Sequence, residues 1–477
     1  MRTPAVISLA LVALLPVPAQ PGTTAASPAT LAADWALYGG DHGNRRFSPL
    51  DQIDNRNVSR LKLAWRHATG RKATFEASPV VVDGIMYLST PYNDVLALDA
   101  ASGETVWRYH HELRGGDYCC GPANRGVAVA GDRVYEATID ARLIALDRGT
   151  GELIWDVPIT DAEAGAGEDL RPLLGIEELK GAVKTGNTGY SANMAPQVVD
   201  GKVLVGITGA GYGLHVEFEE HGEPVLSVGG LGGGGHGLRG FLVAYDAASG
   251  RELWRWYSVP EQGWEGQWRA QTPYGVPLNR DLAAERAAFA RYRDTWRYGG
   301  GSVWTTPAVD RELGLIYLGT GNPAPQMDDS TRPGDNLHTV SLVALELATG
   351  RLRWAYQQVP HDRWGYDVAS PPVLFEVEHG GRKVKAVGQA SKLGWFFIHD
   401  RETGELLRRS EPFIRPENLF ARPTSEGVRV VPGTLGACSW SPVAYHPGLQ
   451  AVYIDGIYQP SLFFSRRLKP APGRPWS

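Results

Sequence analysis

The sequence predicts an all-β fold assembled from repeated sheet blades, a β-propeller, and three observations carry that prediction. Gly and Pro are abundant, 58 and 33 among 477 residues, a composition that argues against a helical bundle or coiled coil. The pattern Ala-(Leu/Tyr)-Asp-x-x-(Ser/Thr)-Gly-x-x-x-Trp recurs along the chain. Runs rich in Val, Ile and Tyr, broken by Asp-Gly or Gly-Lys turns, precede its copies. Several short strands closing on one Trp-bearing turn per repeat are the mark of a propeller blade.

The chain opens on a short basic start, Met1-Arg2, an apolar run from Ile7 to Pro16, and the small residues Val17-Pro18-Ala19. Residues 1–19 are therefore expected to form a secretory signal peptide. The run is too short for a spanning helix, which needs about 20 apolar residues, and no transmembrane segment is expected later. The β-rich runs are Ser78 to Leu88, Val127 to Thr138, Pro196 to Ile207 and Pro307 to Leu318. The Trp-bearing turns are Ala97 to Trp107, Ala145 to Trp155 and Ala244 to Trp254, then Ala344 to Trp354 with Glu for Asp. A weaker copy, Ile398 to Arg408, has Arg at the Trp position. In each, a strand ends at the Asp, the next residues turn tightly, and the following strand presents Trp for packing. Asp99 to Asp147 spans 48 positions, so a blade takes about 50 residues, and the intervals near 100 that follow hold either a further blade or a long insertion.

Two insertions stand out, about 212–237 and 279–298. The first carries Glu217, Glu219, Glu220 and the glycine run of 229–235; no GxGxxG opens a helix there, so a flexible loop is expected rather than a phosphate cradle. The second places Leu282, Ala283, Ala287, Phe289 and Ala290 among charges and reads as one surface helix.

Net charge is −5, without long Lys/Arg runs, so no nucleic-acid partner is expected and a small ligand is. Of three cysteines, Cys119 and Cys120 are adjacent; they either close a strained eight-membered ring or stand as thiols in a turn. No Cys-x-x-Cys-His for covalent haem and no zinc spacing occurs. The pairs His110-His111 and His361-Asp362 lack a metal-binding spacing, and packing or turn roles are expected for them.

From about Trp35 to Tyr458 the chain resembles the bacterial pyrroloquinoline quinone (PQQ) dependent alcohol and sugar dehydrogenases. The resemblance rests on Tyr38-Gly39-Gly40-Asp41, Arg46 to Leu50, Gln52-Ile53, Asn57-Val58, Cys119-Cys120 with Asn124-Arg125-Gly126, Gly319 to Pro325, Arg332 to Asn336, and Pro360-His361-Asp362. It implies an eight-bladed quinoprotein propeller in which PQQ lies at the axis between a Trp face and a vicinal disulfide, touching Ca²⁺ or a lanthanide. It further implies a periplasmic enzyme in which an aspartate takes the proton of an alcohol or sugar while hydride passes to the quinone. With no haem motif, electrons go to an external acceptor, cytochrome c or a quinone. The chemistry is coherent, because a planar cofactor gains from stacking, its carboxylates need cations, and a hard cation polarises a carbonyl.

Carried over by position, the resemblance assigns PQQ contacts to Glu76, Cys119, Cys120, Arg125, Asn193 (where the family has Thr), Thr208, Gly209, Ala210, Ser302, Trp304 and Lys392, with Lys392 against the quinone oxygens. Without it, Glu76 reads as a strand-edge charge, Arg125 as a surface ion pair and Trp304 as core. Asn322 fits the metal-binding Asn. The sequence departs at Gly211, where a Glu ligand is expected, at Gly365, where the catalytic Asp is expected, and at Ser439, where Asn precedes Trp440. Asp367 falls where lanthanide-using members carry an added acidic ligand, and it is the remaining candidate for ligand or base. Two lost carboxylates imply weak metal affinity unless Glu217, Glu219 or Glu220 folds inward. Relative to the family the blades from 35 to 477 are expected to be incomplete at the C-terminus. The alternative is a catalytically impaired PQQ-binding propeller or a protein-interaction scaffold.

Overall fold

The turn pattern folds as the outer hairpin of a four-stranded antiparallel sheet, five times over, in a computed structural model that describes residues 34–114, 121–160, 183–185, 191–209, 214–220, 223–229, 239–324, 326–327 and 329–465. In the first blade, Val80–Val82, Ile85–Ser89, Val95–Asp99 and Thr105–Tyr109 pair in chain order. The second takes Ala128–Ala130, Arg133–Ala137, Arg142–Asp147 and Leu153–Pro158, and the third Gln197–Val199, Lys202–Gly206, Phe241–Asp246 and Glu252–Tyr257. The fourth takes Ala308–Asp310, Leu315–Gly319, Ser341–Glu346 and Leu352–Gln357, and the fifth Val373–His379, Arg382–Ala390, Phe396–Asp400 and Leu406–Arg409. Beyond it, Ala444–His446 pairs with Ala451–Tyr453, and Val428–Val430 with Ser461–Phe463.

The chemistry of the repeated turn is local. Asp99 Oδ1 accepts from the backbone N–H groups of Ala101 and Ser102 and from Ser102 Oγ, a side-chain-closed turn. Asp147 does the same with Gly149 and Thr150, Asp246 accepts from Ser249 N and Oγ and Asp400 from the N–H groups of Glu402 and Thr403, whereas Glu346 accepts from Thr349 Oγ1 and Arg351. The glycine that follows is left-handed in every copy, with φ between 71° and 76° at Gly103, Gly151, Gly250, Gly350 and Gly404. It also receives the Trp of the preceding blade: a Cβ on Gly151 would stand 2.5 Å from the Trp107 ring, and one on Gly404 2.6 Å from Trp354. Glycine is thus required twice over, by conformation and by contact.

Apolar faces of consecutive blades close on each other. Val80, Tyr87 and Trp107 of the first blade pack with Val134 and Ile144 of the second. Ala145 meets Val203 and Val243 of the third, Leu204 and Leu242 meet Ile316 and Val343 of the fourth, and Tyr317 and Leu342 meet Val387 and Phe397 of the fifth. Phe375 and Phe396 continue onto Val443 and Tyr445. The inner strands lie next to one another around an axis, and the segment Trp35–Arg46 bonds to each in turn. Trp35 exchanges both backbone bonds with Val81, Ala36 O accepts from Val129 N, and His42 O accepts from Gln197 Nε2 and Val309 N. Gly43 O accepts from Leu374 N and Arg45 O from Tyr445 N.

Among the described residues neither long interval holds a further four-stranded blade. In the first, Leu214–Glu220 pairs with Glu223–Gly229 and with Val183–Thr185, which corrects the expected flexible loop: alternation of Leu, Val and Phe with polar residues supports a hairpin that the glycines beyond it obscured. In the second, an α-helix, Leu282–Tyr292, is capped by Asp281, whose side chain accepts from Ala284 N, and continues as a 3-10 turn, Arg293–Tyr298. No helix among the described residues is long and apolar enough to cross a membrane. The signal-like residues 1–19, the pair Cys119-Cys120, Ala210 and Gly211 lie outside the described residues.

Candidate active site

Strand register sets the site. Because the first two strands of each blade form a hairpin, residues just before the first strand lie beside those just after the second. Glu76, Arg125, Asn193, Ser302, Trp304 and Asp367 precede first strands, and Thr208, Gly209, Asn322 and Lys392 follow second strands. All ten predicted positions that are described therefore fall at one end of the blades.

At one side of this end sits a buried cation. Arg125 Nη2 lies 2.9 Å from Glu76 Oε2, and Nη1 donates to Asn193 Oδ1 at 2.7 Å and to the Trp304 carbonyl at 3.2 Å. The guanidinium is 5.0 Å from the Trp304 ring centre and 5.2 Å from that of Trp440. Arg125 Nε is buried without a partner. Asn193 O in turn accepts from Arg125 N, and Thr208 N donates to Ser191 O. Tyr38, on the axial segment, is buried against the same charges, and burial raises its phenol pKa more than Arg46 and Arg125 lower it.

The same end carries a carboxylate and lysine pair. Gly321 N donates to Ser302 O, and Gly321 stands so close to both Ser302 and Asp367 that a Cβ would touch each at 3.4 Å. Asp367 is buried; burial raises its pKa and Lys392 only partly offsets this. Its Oδ2 is 3.4 Å from Lys392 Nζ, while Oδ1 has no partner. Lys392 Nζ also donates to the Gly365 carbonyl at 2.9 Å. Asn322 Nδ2 donates to Asp362 Oδ2 at 2.9 Å, and that carboxylate also accepts from the backbone of Trp364, Gly365 and Tyr366. Asp362 thus fixes both Asn322 and the strand approach that carries Asp367.

Gly365 is more than a missing acid. Its φ is 87°, and a Cβ there would meet Thr434 Cγ2 at 2.7 Å and Gln326 Nε2 at 2.9 Å. Sequence reasoning missed Tyr38, Gln326 and the place of Trp440 opposite Trp304. Tyr38 and Trp440 carried a signal, through the Tyr38-Gly39-Gly40-Asp41 motif and the Ser439-Trp440 position, whereas Gln326 carried none. His110 and His111 pair with Asp94 and Asp140, and His361 lies between Gly334 O and Asp329. Among the described residues no group of three or more His, Cys, Asp or Glu is placed to hold a metal ion. Glu217, Glu219 and Glu220 lie on the strand Leu214–Glu220, described for its backbone alone.

One end of the blades thus carries both the buried Arg125, close to the indoles of Trp304 and Trp440, and the Asp367–Lys392 pair. The chain belongs to the PQQ glucose/ethanol/alcohol dehydrogenase β-propeller family, which it matches over residues 35–411. It is 35% identical over 451 residues to the quinohemoprotein alcohol dehydrogenase ADH IIB of Pseudomonas putida, covering 89% of this chain and 57% of that protein. It is 33% identical to the ADH-IIG enzyme of the same organism, covering 94% and 59%. Among solved structures, the quinohemoprotein alcohol dehydrogenase of Comamonas testosteroni superposes with a TM-score of 0.68 at 32% identity, over 89% of this chain and 58% of that one. A europium-containing methanol dehydrogenase superposes at 0.67 and 27% identity, over 89% and 68%. The chain thus spans rather more than half the length of these quinohemoprotein relatives.

Proposed function

We propose that the protein binds PQQ and oxidises an alcohol or sugar at this blade end. The observation that carries the reading is the buried, incompletely paired Arg125, with its Nε orphaned between Trp304 and Trp440. A buried guanidinium with an unused donor beside aromatic faces fits a planar polyanion. Glu76 and Asn193 orient Arg125, and Trp304 offers the stacking face. When bound, PQQ supplies a two-electron acceptor, and Ca²⁺ or a lanthanide supplies Lewis acidity. Toward a cation the described residues offer Asn322 and Asp367 Oδ1, fewer oxygens than a hard cation takes, so weak metal affinity is expected unless Glu217, Glu219 or Glu220 supplies more. Asp367, with Lys392 against its other oxygen, accepts the alcohol proton. Lys392 keeps the carboxylate oriented through its second bond to Gly365 O. Export to the periplasm is part of the proposal and is supported by the signal-like residues 1–19.

The test is spectroscopic titration with PQQ plus Ca²⁺ or La³⁺, followed by dye reduction over alcohols and aldoses. Saturable PQQ uptake that Arg125→Ala weakens about 10-fold or more is expected, given what a charged hydrogen bond is worth; absence of uptake by the unaltered chain overturns the reading. The left-handed Gly365 favours one second reading, a propeller that binds PQQ without turnover. Uptake without dye reduction would select it.

A further inference from the structure

We infer that the seam between the fourth and fifth blades binds a small monovalent anion, held by Arg409, Tyr274 and Tyr356. The inference does not rest on the dehydrogenase reading, because these side chains lie on outer strands and on a turn packed against them. Tyr356 belongs to the outer strand Leu352–Gln357, and Arg409 ends the outer strand Leu406–Arg409, where it pairs opposite Phe397. Tyr274 sits in a tight turn, in which Thr272 N donates to Val276 O at 2.9 Å and Gly275 N to Thr272 O at 3.0 Å. The turn carries its ring to 6.0 Å from that of Trp395 and 5.6 Å from that of Phe397, centre to centre. Tyr356 reaches the same Phe397 from the fourth blade, at 6.3 Å. The Arg409 guanidinium lies against two of these rings, 4.8 Å from the centre of Tyr274 and 4.7 Å from that of Trp395.

Three polar atoms in this seam, Tyr274 Oη, Tyr356 Oη and Arg409 Nη1, are buried without a hydrogen-bond partner. All three are donors. Burial raises the pKa of both phenols, that of Tyr356 to about 12, so each keeps its proton. The Arg409 charge acts on both phenols and Tyr356 on Tyr274, so the three groups share one neighbourhood. The other groups facing them bring no negative charge: Thr272 beside the Tyr274 hydroxyl, Arg269 toward Tyr356, and His399, 4.4 Å from the Tyr356 ring and kept neutral because burial lowers its pKa to about 4. Among the described residues no carboxylate pairs with Arg409. Stacking occupies the faces of a guanidinium and leaves its N–H edge free to donate. Buried donors without acceptors call for an acceptor from outside the chain. One unpaired guanidinium balances one negative charge, which selects a monoanion such as chloride over a divalent one.

The test is chloride binding to the 477-residue chain, read as saturable broadening of the chloride NMR line at an ionic strength held constant with sodium gluconate. Arg409→Gln is expected to weaken binding about tenfold or more, and Tyr274→Phe and Tyr356→Phe about fivefold each, the worth of a charged and of a neutral hydrogen bond. The two phenylalanine variants keep the ring packing and delete one hydroxyl, so the test stands even if Arg409→Gln fails to fold. Arg408→Gln, at the adjacent exposed arginine of the same strand, is expected to bind chloride as the unaltered chain does. Absence of saturable broadening in the unaltered chain, which would leave water as the partner of these donors, overturns the inference. So does binding that both phenylalanine variants retain in full, or that Arg408→Gln weakens as much as they do.

Discussion

Buried carboxyls in the first two blades divide by the company they keep. Asp94 is desolvated, which raises its pKa, yet hydrogen bonds from Arg108, His110 and Arg71 outweigh burial and hold it below the ordinary carboxylate range. Glu136 has one bond, from Asn93 Nδ2, and an orphaned Oε2. Burial, helped by Asp140 and Asp94, pushes its pKa well above the ordinary range. In the window between the unfolded value, about 4.3, and this raised one, the folded protein holds a proton that the unfolded chain releases. Stability therefore falls as pH rises through that window, by up to about 1.4 kcal/mol per pH unit. Glu136→Gln removes the titration while keeping the shape. Its melting temperature should match that of the unaltered protein near pH 4 and exceed it increasingly toward neutrality; a difference that does not change with pH would show that Glu136 is not buried as described. Such facts were illegible in the sequence. The absence of an acid at Gly365 could be read directly, but neither its left-handed backbone nor the orphaned oxygen of Gln326 has a local signature, because both are consequences of tertiary packing.

At the scale of elements, the turn pattern was legible because its chemistry is contained within a few residues: Asp closes the turn, Gly takes the left-handed position, and Trp follows at fixed spacing. What the Trp docks against is a property of two blades. Its indole N–H finds the carbonyl just after the next blade's turn acid, Trp65 to Ala100 O at 3.1 Å, Trp107 to Arg148 O at 2.9 Å, Trp254 to Leu347 O at 3.2 Å and Trp354 to Arg401 O at 2.9 Å. Trp155 is the exception, its Nε1 buried and unpartnered. The carbonyl it would use, that of Ala247, is already taken by Arg133 Nη1 at 2.8 Å and Tyr135 OH at 3.0 Å. Phenylalanine preserves much of the ring packing and deletes the N–H. Trp354→Phe should therefore cost about 1 kcal/mol more than Trp155→Phe in urea unfolding, since only the former breaks a made bond. Equal costs would mean that docking rests on ring contact alone. Trp65 extends the same rule, docking on Gly103 of the first blade as an outer-strand Trp would, though its neighbours Leu61 and Leu63 are exposed.

For the whole molecule, the apolar faces of each blade pack on its neighbours, and inner strands expose a free edge toward the axis that must be paired or covered. The segment Trp35–Arg46 answers that need by bonding to the inner strand of all five blades and to the strand Ala444–His446. In the sequence this stretch was conspicuous as a motif, but its role was hidden, since each of its bonds reaches a partner tens to hundreds of residues away. Asn44 concentrates the effect. It is left-handed, φ 54°, and 2% exposed, and its Nδ2 donates to Thr306 O at 3.1 Å and Pro372 O at 3.2 Å, carbonyls that lead into the fourth and fifth blades beside Trp304 and Asp367. Asn44→Ala removes both bonds, strands two carbonyls and leaves a residue poorly suited to that backbone, an expected loss of about 2–4 kcal/mol. The adjacent Arg45 makes an exposed ion pair with Asp41 at 2.6 Å, and Arg45→Ala should change stability by less than about 0.5 kcal/mol. Unfolding of the two variants in urea separates the alternatives: a large gap marks the segment as the tie between blades, whereas equal small losses would reduce it to a surface strand whose bonds the blades can do without.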